Sequence, residues 1–395
     1  MRSLRTLAFA GLAIGSFVSP ASTQTVKVGV ILTYSGADLN NGLQIDRGLR
    51  LYMKEHEKEL PPGVKLELVV KDDGGPNPDA AKRLAQELIV RDKVNLIAGL
   101  VWTPNAAAIA PMVTEAKVPL VLMNAASSGL PRLSPYIVRV SYTLWQFAYP
   151  MGEWAAKQGA RTAYSAVPDF VPGHEVEAAF AKGFTGAGGR MVGSVRVPLN
   201  TIEYLPFLYR VKDAKPDVFY LMTIGGARAT SMLKLTKELD FEGAGIKVMG
   251  SCELVADDDL PRTGNIALGV VSSCNYTGTA QRPQTRAFVS SWKRDYGTNE
   301  VPIFMSAGGW DGMDAIFDLV KKTKGVFDGD KSMDILSHWK NDESPRGPVA
   351  VDPETRDIVQ NVYIRRVEQR DSEPNNYDFD VVTAVKDPWL RFNAR

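Results

Sequence analysis

Histidine and cysteine are nearly absent from this 395-residue chain: His56, His174, His338, Cys252 and Cys274 are the whole supply. None of them falls at the short spacings that metal ligands need, so neither a metal nor any other cofactor is expected. An excess of charge of one sign is lacking too. Forty-six basic residues stand against 45 acidic ones, net +1, with no long run of either. That balance gives no reason to expect nucleic acid or an anionic membrane surface as a partner, and points to a small-molecule ligand instead. Long hydrophobic runs are missing after residue 21, so no later segment is expected to cross a bilayer.

The one apolar run sits at the start. MRSLRTLAFAGLAIGSFVSPA carries Arg2 and Arg5, an apolar stretch too short to span, and the small residues Ser19-Pro20-Ala21. This pattern reads as a secretory signal peptide, taken here as residues 1–24. No cysteine lies near the cleavage point, so the mature protein is expected to be soluble and periplasmic. In an oxidising compartment Cys252 and Cys274, 22 residues apart, can pair with each other or stay as two buried thiols.

What the chain does have is alternation. The clearest stretch is VNLIAGLVWTPNAAAIAPMVTEAKVPLVLMNAASSGL, residues 94–130. Two short apolar runs flank an alanine-rich segment, which reads as strand, helix, strand. Thr103 before Pro104 reads as an N-cap, leaving the amides of Asn105 and Ala106 free to face an anion. The second strand ends in Asn124-Ala125-Ala126-Ser127-Ser128-Gly129, small residues that let a ligand approach and leave a hydroxyl to bond it. Both turns fall on the carboxyl edge of a parallel sheet, where open α/β sheets bind ligands. Capping and small residues also occur in turns that bind nothing.

Elsewhere the same alternation continues. VKVGVIL from Val26 is a buried strand, followed by Thr33-Tyr34-Ser35-Gly36 and a polar turn through Asn40-Asn41-Gly42. A helix follows, with Leu43, Leu49, Tyr52 and Met53 at helical spacing, then a strand over 64–70. Asp72 and Asp73, in a turn rich in glycine and proline, read as backbone-bonding residues or, on the sharper view, as metal or catalytic carboxylates. Helices are expected over 79–92 and 145–159, and alternation resumes from residue 160 through 250, as in a second α/β domain. Past Cys274 helices over 284–296, 306–323 and 332–341 come without strands between them. They need a sheet already built, so the chain crosses between two lobes near 140–145, 273–278 and 348–356. The lobes are then 25–142 with 276–350, and 143–275 with 351–395, the last part ending in a polar tail.

VGVILTYSG at the start, DD-x-x-x-x-P after the second strand, and small-residue turns at 99–103 and 124–127 together resemble the periplasmic branched-chain amino acid binding proteins. These are type I solute-binding proteins of ABC transporters. The resemblance covers nearly the whole mature chain and rests on the ordered set rather than on one motif. It implies two Rossmann-like α/β lobes joined by a three-stranded hinge, a monomer that closes on a small carboxylate-bearing ligand and delivers it to a membrane permease. By that likeness the ligand carboxylate meets Trp102, Thr103, Ala125, Ala126 and Ser127. Asp169-Phe170-Val171-Pro172-Gly173 makes Phe170 a wall of the pocket, Tyr34 and Asn41 come from the first turn, and Thr223 and residues 304–310 line the rest. Glu253 stands where the family meets a ligand amine. Pro172 and Trp102 depart from the pattern of amino acid binders, so an aromatic acid is as fitting a ligand as leucine.

Ala125-Ala126-Ser127-Ser128-Gly129 also has the small-x-Ser-x-Gly spacing of a nucleophile elbow. A serine hydrolase would need a late histidine. His338 lies inside a helical pattern and His174 in a helix-opening turn, which argues against an enzyme. Gly186-Ala187-Gly188-Gly189 follows a helix and precedes a strand, the reverse of a dinucleotide fingerprint. A ligand sensor of the same fold remains the other reading.

Overall fold

The computed structural model describes residues 24–370 and 373–393. The expected leader lies outside the described residues except for Gln24, which opens the first strand. Among the described residues no helix is long and apolar enough to cross a membrane.

The first lobe is built on a parallel sheet of β1 (Gln24–Leu32), β2 (Val64–Asp72), β3 (Leu96–Gly99), β4 (Leu120–Leu122) and β5 (Ile137–Arg139), in the order β2-β1-β3-β4-β5. Val26, Val28, Val30 and Ile31 of β1 are fully buried because helices cover both faces, as a parallel sheet requires. Those connecting helices are α1 (Leu39–His56), α2 (Pro78–Gln86) and α3 (Thr103–Ala116). Helix α1 starts earlier than its apolar spacing indicates, taking in Asn40, Asn41 and Gly42 where a turn is expected. The reason is Gly42: a Cβ there would stand 1.9 Å from the Thr33 carbonyl oxygen, so only glycine lets this first turn lie against the exit of β1.

A capping box at Thr143 and Gln146 opens α4 (Leu144–Lys157). The second lobe then runs β6 (Thr162–Pro168), α5 (Val171–Gly186), β7 (Arg190–Val197), α6 (Leu205–Ala214), β8 (Val218–Leu221), α7 (Gly226–Glu238), β9 (Lys247–Ser251), α8 (Leu260–Thr263) and β10 (Val271–Cys274). Next come α9 (Pro283–Tyr296), α10 (Phe304–Thr323) and α11 (Gly329–Ser337). Helix α10 returns to the first lobe, where Trp310 and Phe317 pack edge-on against Tyr52 of α1 at 5.0 and 5.2 Å. The chain ends in β11 (Lys340–Asn341), β12 (Val349–Val351), β13 (Ile358–Gln369), β14 (Pro374–Val385) and α12 (Trp389–Asn393).

Strands β7, β6, β8, β9 and β10 are parallel, and β13 closes antiparallel on β10. Two features differ from the sequence expectation. Residues 340–341 and 349–350, expected with the first lobe, pair together with Val351 through β12 onto β13 and extend the second sheet. The polar tail is a 12-residue strand, β14, paired with β13 and with only two of its residues buried, so its composition masks its register.

Three crossing segments are zipped by buried polar groups. Arg346 donates to the carbonyls of Val140 and Ser141, to Gln360 and, through Nε at 2.6 Å, to Asp311. Asn275 Nδ2 reaches the same Gln360 oxygen at 2.9 Å. The C-terminal helix spans the lobes: the Trp389 ring rests on Gly129 of the first, and Phe392 packs at 5.8 and 5.6 Å on Trp145 and Tyr149 of α4. Just before it, Asp387 is buried beside Asp357. Burial, and then repulsion from Asp357, push its carboxyl up to about 7. Cys252 and Cys274 are bonded, tying the turn after β9 to the end of β10.

Two outcomes follow from these ties. Replacing both cysteines by alanine removes a cross-link closing a loop of 22 residues. It should lower unfolding free energy by about 3 kcal/mol, read as a shift in urea midpoint at constant slope. Asp387 holds its proton in the folded protein up to about pH 7, whereas the unfolded chain releases it near pH 4. Its contribution is therefore complete below about pH 4 and lost as pH rises through about 7. Asp387→Asn, whose amide mimics the protonated form, should gain stability relative to the unsubstituted protein between pH 5 and pH 8 in paired urea titrations.

Candidate functional site

At the carboxyl edge of the first sheet the chain leaves β3 through a constrained turn. Leu100 has φ +61°, left-handed and unusual for a branched residue. Its N–H donates to Ile31 O at 2.8 Å and its carbonyl accepts Ala125 N–H at 2.9 Å. The turn delivers Trp102 and Thr103. Trp102 is the N-cap of α3 and Thr103 its first residue, which corrects the expected N-cap at Thr103. The Thr103 hydroxyl instead accepts the Ser127 amide at 3.2 Å. Ala106 N–H, expected to be free, donates to Trp102 O at 3.1 Å.

Trp102 is half-buried and fixed by its indole N–H, which donates to Thr33 Oγ1 at 3.0 Å. Thr33 donates in turn to Asp73 at 2.8 Å, and Asn105 Nδ2 bonds the other Asp73 oxygen at 2.9 Å. Burial raises the Asp73 carboxyl even though these donors pull it back. Asp72 accepts the amides of Tyr34 and Gly74. Both aspartates thus organise neighbouring turns, the backbone-bonding reading of that motif. Tyr34 turns its hydroxyl to Asp46 of α1 at 2.7 Å, an oxygen that Arg50 shares the carboxylate with, so its polar end is engaged within its own lobe.

The second turn, residues 124–129, is held from behind. Arg139, fully buried, donates Nη1 to the carbonyls of Ala125 and Ser127 at 2.9 and 2.8 Å and Nε to Asp357 at 2.6 Å. The Ala126 carbonyl accepts Leu144 N–H at 3.0 Å. Ala125, Ala126 and Ser127 are all buried, and the Ser127 hydroxyl has no hydrogen-bond partner. His174 bonds Asp169 at 2.8 Å and His338 bonds the Asp334 carbonyl at 2.7 Å, so neither histidine serves Ser127 as a base.

Across the crossing lies Glu253, in the turn that opens after β9. Its two oxygens accept the hydroxyls of Tyr142, at 2.9 Å, and Ser251, at 2.6 Å. Tyr142 is fully buried, stacked on Phe147 at 4.6 Å, and burial followed by the Glu253 charge drives its pKa well up, so it stays a donor. The segment carrying Tyr142 and Leu144 therefore touches both the 124–129 turn and Glu253.

Glu253 also borders a cleft of about 720 Å³ between the lobes. Asn40, Asn41 and Gln44 of α1 line one wall with Phe304 and Met305, and residues 224–228 with Asp258 and Asp259 line the other. Asp258 Oδ2 accepts Asn40 at 2.7 Å and Gln44 at 3.1 Å across it; burial lifts this carboxyl to about 6. Thr223 is buried beside a smaller hollow with Ile224 and Arg228, its hydroxyl accepting Gly225 N–H at 3.3 Å. Phe170 is the half-buried N-cap of α5, at the carboxyl edge of β6.

The structure thus groups Trp102, Thr103, Ala125, Ala126 and Ser127 on one lobe rim, and Glu253 with Asn41 on one cleft. Tyr34 belongs to neither group through its hydroxyl. Tyr142, Arg139, Glu175 and Asp258 are contacts that the sequence reading did not single out. An arginine closing an apolar strand, as in Ile137-Val138-Arg139, is the one signal that pointed to any of them.

The sequence matches the model of the periplasmic binding protein family over residues 25–373. It is 34% identical over 393 residues to the Leu/Ile/Val-binding protein homolog 6 of Brucella melitensis, covering 98% of this chain and all of that one. Among solved structures, a solute-binding protein of an ABC transporter from Rhodopseudomonas palustris BisB5, in complex with 3,4-dihydroxybenzoic acid, superposes with a TM-score of 0.87. It is 43% identical, over 92% of this chain and 99% of that one. A second, from R. palustris HaA2 in complex with p-hydroxybenzoic acid, has a TM-score of 0.89 and 37% identity, over 93% and 100%. With two α/β lobes, a polar hinge and a cleft between facing sheet edges, this chain belongs to the periplasmic binding protein family, among the branched-chain amino acid binding proteins that capture a small solute between their lobes.

Proposed function

We propose that this chain captures an aromatic monocarboxylic acid of the hydroxybenzoate class in the periplasm and hands it unchanged to the permease of an ABC importer. The observation that carries the reading is the buried Ser127 hydroxyl, which makes no hydrogen bond although the Glu175 carboxylate lies near it, beside Thr103 and the pinned Trp102 ring. A buried donor without an acceptor is costly, and a ligand carboxylate would satisfy it. The half-buried Phe170 stands on the opposite lobe as a second aromatic surface. The solved relatives at 43% and 37% identity hold hydroxylated benzoic acids, which supports the same ligand class here. Both later histidines are engaged elsewhere, which favours binding over hydrolysis.

A branched-chain amino acid is the second reading, favoured by the buried Glu253 carboxylate, which could receive an ammonium group. Both its oxygens already accept hydroxyls of the chain itself, which leaves fewer directions for a ligand amine. Closure would part the ligand from water by swinging the lobes about the three crossings.

Titration calorimetry with 4-hydroxybenzoate and L-leucine separates the two, the first binding and the second not. Ser127→Ala should weaken 4-hydroxybenzoate by about 1–3 kcal/mol with an unchanged melting temperature. Glu253→Gln should matter far more for leucine, if leucine binds at all, than for the aromatic acid. Release of phenol from a phenyl ester that disappears in Ser127→Ala would instead show an enzyme.

A further inference from the structure

Glu175 stands in the first turns of α5, on the lobe opposite the 124–129 turn. Its Oε2 accepts the Ser128 amide at 3.0 Å, and the same carboxylate lies beside the Ser127 hydroxyl. No other direct polar contact joins α5 to this turn among the bonds described above. Helix α5 packs on α4 and covers the second sheet, whereas Ser128 rides on the rim of the first. The bond therefore spans the lobes and must break when they part. The charge of Arg139 acts on Glu175, but its Nε and Nη1 are spent on Asp357 and on the Ala125 and Ser127 carbonyls, and its Nη2 makes no hydrogen bond. Glu175 is thus held by what the turn offers it, a backbone N–H whose position depends on how residues 125–128 are set.

We propose that Glu175 is a positioning residue that reads the ligand turn from the opposite lobe: by accepting the Ser128 amide it fastens the closed form over the bound acid. The Ser127 hydroxyl and the Ser128 amide both lie at the Glu175 carboxylate, so one tightly bent dipeptide serves ligand and latch. A ligand that fixes Ser127 fixes the Ser128 amide with it, and the latch closes at full strength only over an ordered turn. This rests on the proposed ligand site for the choice of probe and not for the contact itself.

Because the latch exists in the closed form alone, its loss should show in release rather than in capture. In stopped-flow measurements with 4-hydroxybenzoate, Glu175→Ala should dissociate about tenfold faster, with the association rate and the urea midpoint unchanged. Glu175→Gln, whose carbonyl oxygen can still accept the Ser128 amide, should restore most of the retention. An unchanged dissociation rate in Glu175→Ala overturns the proposal, and so does a glutamine variant as leaky as the alanine one, which would mean that charge and not this hydrogen bond matters. Should the unsubstituted protein bind L-leucine and no aromatic acid, the ligand assignment falls while the same rates measured with leucine still decide the latch. Should it bind neither, small-angle scattering of the ligand-free proteins decides: a larger radius of gyration in Glu175→Ala supports the latch, and equal radii overturn it.

Discussion

A fully buried guanidinium must find its counter-charge and its acceptors inside the protein, and in this chain that constraint fixes the hinge and the 124–129 turn together. Arg139 joins Asp357 of the third crossing to two carbonyls of the 124–129 turn, and Arg346 joins Asp311 of α10 to two carbonyls of the first crossing. Removing either partner of such a pair strands a charge in a poorly polarisable interior, at a cost of about 3–5 kcal/mol. The carbonyls that the two arginines hold are consequently the least free atoms near the cleft. Lobe motion has to occur around them, and the 124–129 turn belongs to the hinge base rather than to a loose loop.

The charge that surrounds the turn has a further consequence. Glu175, Asp357 and Asp387 all approach it, and of the cations only Arg139 is buried with them. Burial raises the carboxyls of Glu175 and Asp387, the latter to about 7, so burial opposes the build-up of negative charge in this cluster. An acid seated at Thr103 and Ser127 would meet hydroxyls and amide dipoles, not a cation of its own. Neutral donors bind a carboxylate well when water is excluded and weakly when it returns. Such a site grips while the lobes are shut and lets go when they part, which suits a carrier.

The sequence makes the alternation of strands and helices and the β3–α3 turn legible because each is a local pattern: an apolar run, a Thr-Pro pair, a cluster of small residues. What escapes it is set by distant contacts. The early start of α1 depends on how near Gly42 comes to Thr33, a distance that no spacing encodes. Strand β14 buries few of its residues, so its partner β13 defines it rather than its composition. Thr103 carries the signature of an N-cap, yet its hydroxyl is better used by the Ser127 amide 24 residues on. Tyr142 meets Glu253 across 111 residues and Ser128 meets Glu175 across 47, and for neither does the sequence hold any periodic signal.

Leu100 shows how the β3 turn tolerates an unfavourable backbone. A left-handed conformation costs a branched residue about 1–2 kcal/mol, and glycine would remove that strain. Leucine stands there all the same, with its side chain fully buried among Ile31, Ile97, Leu122 and Ala125. Burying such a side chain contributes about 1.5–3 kcal/mol, enough to offset the strain. The two hydrogen bonds to Ile31 and Ala125 then lock the turn to the strands on either side. A glycine would leave a hole in the core and free the backbone at the point from which Trp102 and Thr103 take their direction. A site that must meet a ligand from one side and a closing lobe from the other needs that direction fixed before the ligand arrives, because any ordering left to binding is subtracted from affinity. The strained leucine thus supports the proposed site although it touches only the core.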